Sequence, residues 1–177
     1  MATLKKGADM VYLCPFGKIG AVKVEIKPAE LVKLDPLCSK CLKDLNPDLT
    51  FFFLARNFYL VYNKLLRETL NGPCIREVLS SLGYSDNLAS SLSYLKENFS
   101  KGCPPEIGFF LGYPPKDVLG FMGKVGFVYV KTLGWRMYEP VNSSETLYLR
   151  YKKARLSSLV SRCSTYVTNS LQIWNRK

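Results

Sequence analysis

Apolar and polar residues alternate through 20–27 (GAVKVEIK), with Val22, Val24 and Ile26 on one side and Lys23, Glu25 and Lys27 on the other. A period of two predicts a half-buried strand. Pro28 follows, and a short helical stretch is expected over 29–34. Asp35-Pro36 then supply an N-cap and a first-turn proline, predicting a helix over 37–45 that stops at Asn46-Pro47-Asp48. Residues 50–63 (TFFFLARNFYLVYN) are aromatic and branched, with Arg56-Asn57 in the middle. Because Asn tolerates positive φ, they predict two strands joined by a tight turn.

A helix is expected over 64–70, stopped by Asn71-Gly72-Pro73. Two amphipathic helices follow at 74–82 and 87–99, with Gly83 closing the first and Ser85-Asp86 preceding the second. Residues 126–131 and 135–138, around 132–134, predict a second hairpin. Asn142 with Glu145 three residues on resembles a capping box and starts a helix towards the C-terminus. Its apolar stripe moves from Leu147, Tyr151 and Ala154 to Val160, Cys163, Val167, Leu171 and Trp174. That shift predicts a bend near Ser157-Ser158 or burial on two sides. Without a regular βαβ alternation the fold class is α+β. One domain is expected over 1–177, with two β-hairpins, about five or six helices and a long C-terminal helix.

Composition narrows the function classes. A chain of 177 residues, 47% hydrophobic and 22% charged, is of globular type and single-domain size. Its apolar runs are too short to span a bilayer. Lys5 and Lys6 precede only a short, broken apolar stretch at 11–16, so no signal peptide and a cytoplasmic location are expected. Six cysteines in such a chain read as thiols. There is no histidine, which removes the commonest general base, Ser-His and Cys-His pairs and mixed Cys/His zinc sites. The net charge is +11, and the segment 146–177 holds seven basic residues and no acid. A basic end of this kind can meet nucleic acid or another acidic polymer, an acidic membrane surface or an acidic protein partner.

Residues 101–123 (KGCPPEIGFFLGYPPKDVLGFMG) carry the most distinctive pattern. Pro104-Pro105 suit a first helical turn, where the helix dipole favours Glu106. Gly108 and Gly112, four apart, would share a helix face and allow close approach. Gly112-Tyr113-Pro114 is a stop, and Pro115 with Asp117 restarts a short helix. These residues describe either a packing corner or the wall of a ligand pocket. In the second case Glu106, Gly108, Gly112, Tyr113 and Asp117, with Trp135 and Tyr138, are the binding candidates. Nothing fixes the separation of Glu106 and Asp117, so neither is assigned a catalytic role.

Cys38 and Cys41 form a C-x-x-C at a predicted helix start, where a thiolate is stabilised. A redox function lacks the preceding strand such motifs use, and a zinc site would need ligands such as Cys14 or Cys103. Cys14-Pro15 and Cys103-Pro104 are Cys-Pro dipeptides, a pairing compatible with thiolate ligation of haem. No cofactor is expected ahead of these metal and haem alternatives. Arg150, Lys152, Lys153 and Arg155 beside Tyr148 and Tyr151 are the nucleic-acid candidates. On a helix they point around the axis and do not line one side.

Residues 106–122 (EIGFFLGYPPKDVLGFM) resemble the signature F-P-H-E-I-G-x-F-L-G-Y-P-x-x-D-V-x-G-F of an uncharacterised bacterial family, domain-of-unknown-function family 3793. Leu13-Cys14-Pro15 with Gly20 and Lys27, Trp135-Arg136-Met137-Tyr138, and Tyr148 and Tyr151 before Lys152-Lys153 extend the resemblance over roughly 12–155. It implies no activity. One departure stands out: Pro105 occupies the position of the signature's His. The expectation is a cytoplasmic ligand-binding or protein-interaction domain, not a hydrolase or transferase, with nucleic-acid binding and thiol, metal or haem functions as alternatives.

Overall fold

Residues 50–63 fold as the hairpin their pattern demands. In the computed structural model, β2 (Thr50–Phe53) and β3 (Phe58–Tyr62) pair antiparallel across a loop in which Arg56 and Asn57 both have positive φ, 49° and 65°. A two-residue turn needs that geometry to follow the strands' right-handed twist. The structure describes residues 15–34, 43 and 46–174, with side chains for 18–34, 43 and 46–158 among them. The predicted helix over 37–45, with Cys38 and Cys41, falls outside the described residues save for Lys43, as does Cys14.

Before the hairpin the structure corrects two expectations. Residues expected as a strand lie in and after a helix, α1 (Pro15–Lys23), and residues expected as a helix form β1 (Ala29–Lys33). The period-two reading failed because Val24 lies beyond the helix end and is exposed, while Ile19 and Val22, three apart, are the buried pair. Glu25 turns the chain with φ 55°. AELVK has no strand signal of its own; pairing with β3 along its whole length decides its state. The sheet order is β1-β3-β2.

Both faces of this sheet are covered. Val32, Phe51 and Val61 pack with Ile19 and Val22 of α1. Leu60 faces the larger core, built with α2 (Leu65–Leu70), α3 (Pro73–Ser81), α4 (Leu88–Lys101) and α5 (Ile107–Phe110). Gly83, with φ 90°, closes α3, and the Asn87 side chain caps α4 by accepting from the amides of Ala89 and Ser90. α6 (Pro115–Phe121) leads to a second hairpin, β4 (Tyr129–Leu133) and β5 (Trp135–Tyr138), and then to α7 (Asn142–Trp174). The result is α+β, with seven helices among the described residues and a long helix at the end.

α7 runs without interruption through Ser157-Ser158. The carboxylate of Glu145, in the first turn of α7, meets Lys131 of β4. Tyr151 and Ala154 pack with Ala21, Trp135 and Met137 in a third cluster. Gly20 is why α1 can lie so close: a Cβ there would sit 2.7 Å from Ser158 Cβ and 3.1 Å from Arg155 Cα. The side chains of Val160, Cys163, Val167, Leu171 and Trp174 lie outside those described.

Candidate functional site

The corner at 106–121 is two short helices around a left-handed glycine. α5 ends at Phe110, Gly112 follows with φ 69°, and α6 begins at Pro115. Gly108 and Gly112 do not share a helix face as expected, because Gly112 lies beyond the helix end. Each glycine instead admits a different neighbour. A Cβ at Gly108 would be 2.7 Å from Val118, at Gly112 2.5 Å from the Pro28 ring, and at Gly120 2.7 Å from the Tyr138 ring. The glycine spacing of this segment thus records three close packings.

Asp117 is the hub. It is 1% exposed and accepts four hydrogen bonds. Oδ1 takes Lys116 Nζ at 2.8 Å and the Tyr138 amide at 2.9 Å; Oδ2 takes Trp135 Nε1 at 2.8 Å and Ser144 Oγ at 2.6 Å. Burial alone would raise its pKa, but these donors prevail and hold it below the usual carboxylate value. One carboxylate so ties α6 to β5 and the start of α7. Its acceptor sites are filled, which leaves it no capacity for acid–base work.

Glu106 is buried too and accepts Tyr84 Oη–H at 2.9 Å. Burial first, and this carboxylate second, push the Tyr84 phenol well above its ordinary value. Tyr84→Phe is expected to cost about 1–3 kcal/mol by leaving a buried carboxylate oxygen without its donor. Chemical denaturation of wild type and variant measures it; an unchanged midpoint would show that water replaces the hydroxyl.

Between the turn at 103–105, the α5–α6 corner and β5 lies a cavity of about 330 Å³. Its walls include Gly108, Tyr113, Val118, Phe121 and Trp135, with Cys103 and Arg136 also lining it. Tyr113 stacks on Trp135 with centroids 4.6 Å apart and planes at 19°. Of the sequence candidates the structure brings Gly108, Tyr113, Asp117, Trp135 and Cys103 to this cavity. Glu106 faces Tyr84 instead, Tyr138 lies against Gly120, and Gly112 lines a more open depression of about 570 Å³ with Arg150. Pro105, the departure from the family signature, is also on the cavity wall.

Behind Tyr113 sits a cluster that sequence reasoning missed. Lys27 is 1% exposed, its ammonium bonded to Glu30 and 5.3 and 5.4 Å from the Tyr113 and Tyr151 ring centroids. Arg155 Nη2 reaches the same Glu30 oxygen at 2.8 Å. Burial lowers the Lys27 pKa, with Glu30 opposing and Arg155 assisting. The Tyr151 hydroxyl donates to the Gly112 carbonyl at 2.9 Å, and burial pushes its pKa up to about 12. Lys27 and Arg155 are far apart in sequence, and the strand expected at 20–27 would have turned Lys27 to solvent. No local signal marks the pair.

The remaining candidates do not converge. Arg150, Lys152 and Lys153 are exposed, whereas Arg155 is spent on Glu30. Cys103 is an exposed free thiol, as is Cys74. Among the described residues no group of three or more His, Cys, Asp or Glu is placed to hold a metal ion, and no helix is long and apolar enough to cross a membrane. Compared with known proteins, residues 17–171 match the model of a family described as a protein of unknown function, DUF3793. No curated protein and no solved structure matches the chain.

Proposed function

The chain belongs to the DUF3793 family, and from that premise, which brings no activity with it, we propose that the domain is a non-enzymatic ligand-binding module whose site is the cavity beside Tyr113 and Trp135. The supporting observation is the cavity itself: a recess of about 330 Å³ with a stacked aromatic pair on its wall. That is the size and character of small-molecule sites. The two carboxylates nearest it serve the scaffold, Asp117 with four donors and Glu106 with Tyr84. Binding is the chemistry such a recess offers. A cytoplasmic location belongs to the same proposal and accords with the free thiols of Cys74 and Cys103.

Cys103 is exposed at the cavity wall, so a large side chain there obstructs the space without entering the core. N-phenyl-1-naphthylamine, a neutral probe that fluoresces in apolar surroundings, is expected to bind wild type saturably at one site. Cys103→Trp is expected to weaken it by about tenfold or more with an unchanged melting temperature, about 1.4 kcal/mol of binding. Equal affinity in both proteins, or no saturable binding, would overturn the proposal.

A further inference from the structure

Building on that binding function, we infer that the cavity takes an amphipathic anion: a flat aromatic ring system bearing one anionic group, with the ring against Tyr113–Trp135 and the anion on Arg136. The stacked pair lines the cavity and makes this wall aromatic and apolar, a surface against which a planar ring packs by its edge or face. The indole N–H is already donated to Asp117 Oδ2 at 2.8 Å, so this wall asks for no polar partner from the ligand. Ile107, Val118 and Phe121 line the same space and are apolar.

Charge selects the other end. Two lining residues carry formal charge, Asp117 and Arg136. Asp117 is matched by Lys116 and three further donors, and is 1% exposed. Arg136 is exposed, with its guanidinium 5.2 Å from the Phe121 ring centroid. Among the described residues no carboxylate lies within 4 Å of it. Cys103 adds no negative charge, since burial and then Glu106 push its thiol pKa up. With no carboxylate partner, the guanidinium over the Phe121 ring has N–H donors to offer, and they match a carboxylate, sulfonate or phosphate. A neutral ring would leave the guanidinium unused, and a cationic one would be repelled.

The test compares two probes with the same rings, 8-anilinonaphthalene-1-sulfonate and neutral N-phenyl-1-naphthylamine, on the full chain. Wild type is expected to bind the sulfonate about tenfold tighter, as one charge-assisted contact gives. Arg136→Gln is expected to abolish that preference, the ratio of the two affinities falling to about one. Arg136→Lys should keep part of it, because charge survives and the planar fork does not. Higher salt should shrink the preference in wild type, Arg136 being exposed. Equal affinity of wild type for the two probes overturns the anion assignment while the binding function stands. A sulfonate preference that survives in Arg136→Gln also overturns it, by placing the anion elsewhere. Saturable binding of neither probe removes the binding function itself.

Discussion

Replacing Asp117 with alanine is expected to destabilise the protein by about 3–5 kcal/mol, the range for breaking a buried charged pair. In one step it strands the Trp135 indole N–H, the Tyr138 amide and the Ser144 hydroxyl, and leaves the Lys116 ammonium only the Tyr138 carbonyl at 2.6 Å. For a chain of this size that corresponds to a fall of about 10 °C or more in melting temperature. Asp117→Asn separates geometry from charge. Its shape fits, but its amide group turns two donors towards donors, so it too is expected to lose most of the stability. A near-native Asn variant would refute the acceptor-hub account.

The pH dependence has a definite sign. The folded pKa of Asp117 lies below its unfolded value, so its contribution is complete above the unfolded value of about 4. It is lost as pH falls through the folded value. Urea unfolding of wild type and Asp117→Ala should therefore show a constant gap near neutrality that narrows only in acid.

Glu30→Gln is the second large effect, again about 3–5 kcal/mol. Glu30 is the partner given to both Lys27 and Arg155, and Lys27 is 1% exposed. Without the carboxylate, the buried Lys27 ammonium beside Tyr113 and Tyr151 loses its partner and is left near the half-buried Arg155 guanidinium. Lys27→Met, by contrast, leaves Glu30 paired with Arg155 and fills a similar volume, so it is expected to be neutral or stabilising. The double variant should recover much of the loss seen in Glu30→Gln. Lys27 also has a pH signature. Its folded pKa is depressed, so between that value and about 10 the unfolded chain binds more protons and stability rises with pH. That slope should vanish in Lys27→Met.

Much of this architecture is legible in local sequence. Arg56-Asn57, Asn71-Gly72-Pro73, Gly83 and Gly112-Tyr113-Pro114 mark chain reversals or helix stops because each fixes backbone geometry by itself. The signature glycines are legible as a family mark, but what they accommodate is not. Pro28, Val118 and Tyr138 come from different elements. The errors at 20–33 share that cause. The small residues Gly20 and Ala21 have a visible purpose only once α7 is laid against them, and AELVK becomes a strand only through β3. At the site, the letters indicated Tyr113, Trp135 and Asp117 but not their roles. A buried carboxylate with four donors and an exposed one look alike in sequence. Lys27, Glu30 and Arg155 were unreadable as a group because only the fold brings α7 to the end of α1.

The central claim, that the recess beside Tyr113 and Trp135 is a binding site, is tested most directly by amide and indole N–H shifts in a 1H–15N correlation spectrum. Titration with N-phenyl-1-naphthylamine should move Gly108, Tyr113, Val118, Gly134 and Arg136 and the Trp135 indole resonance, all at the cavity. Shifts centred on Thr69, Ile75 and Thr146 would place binding in the open depression instead, and a spectrum unmoved at saturating probe would contradict the claim.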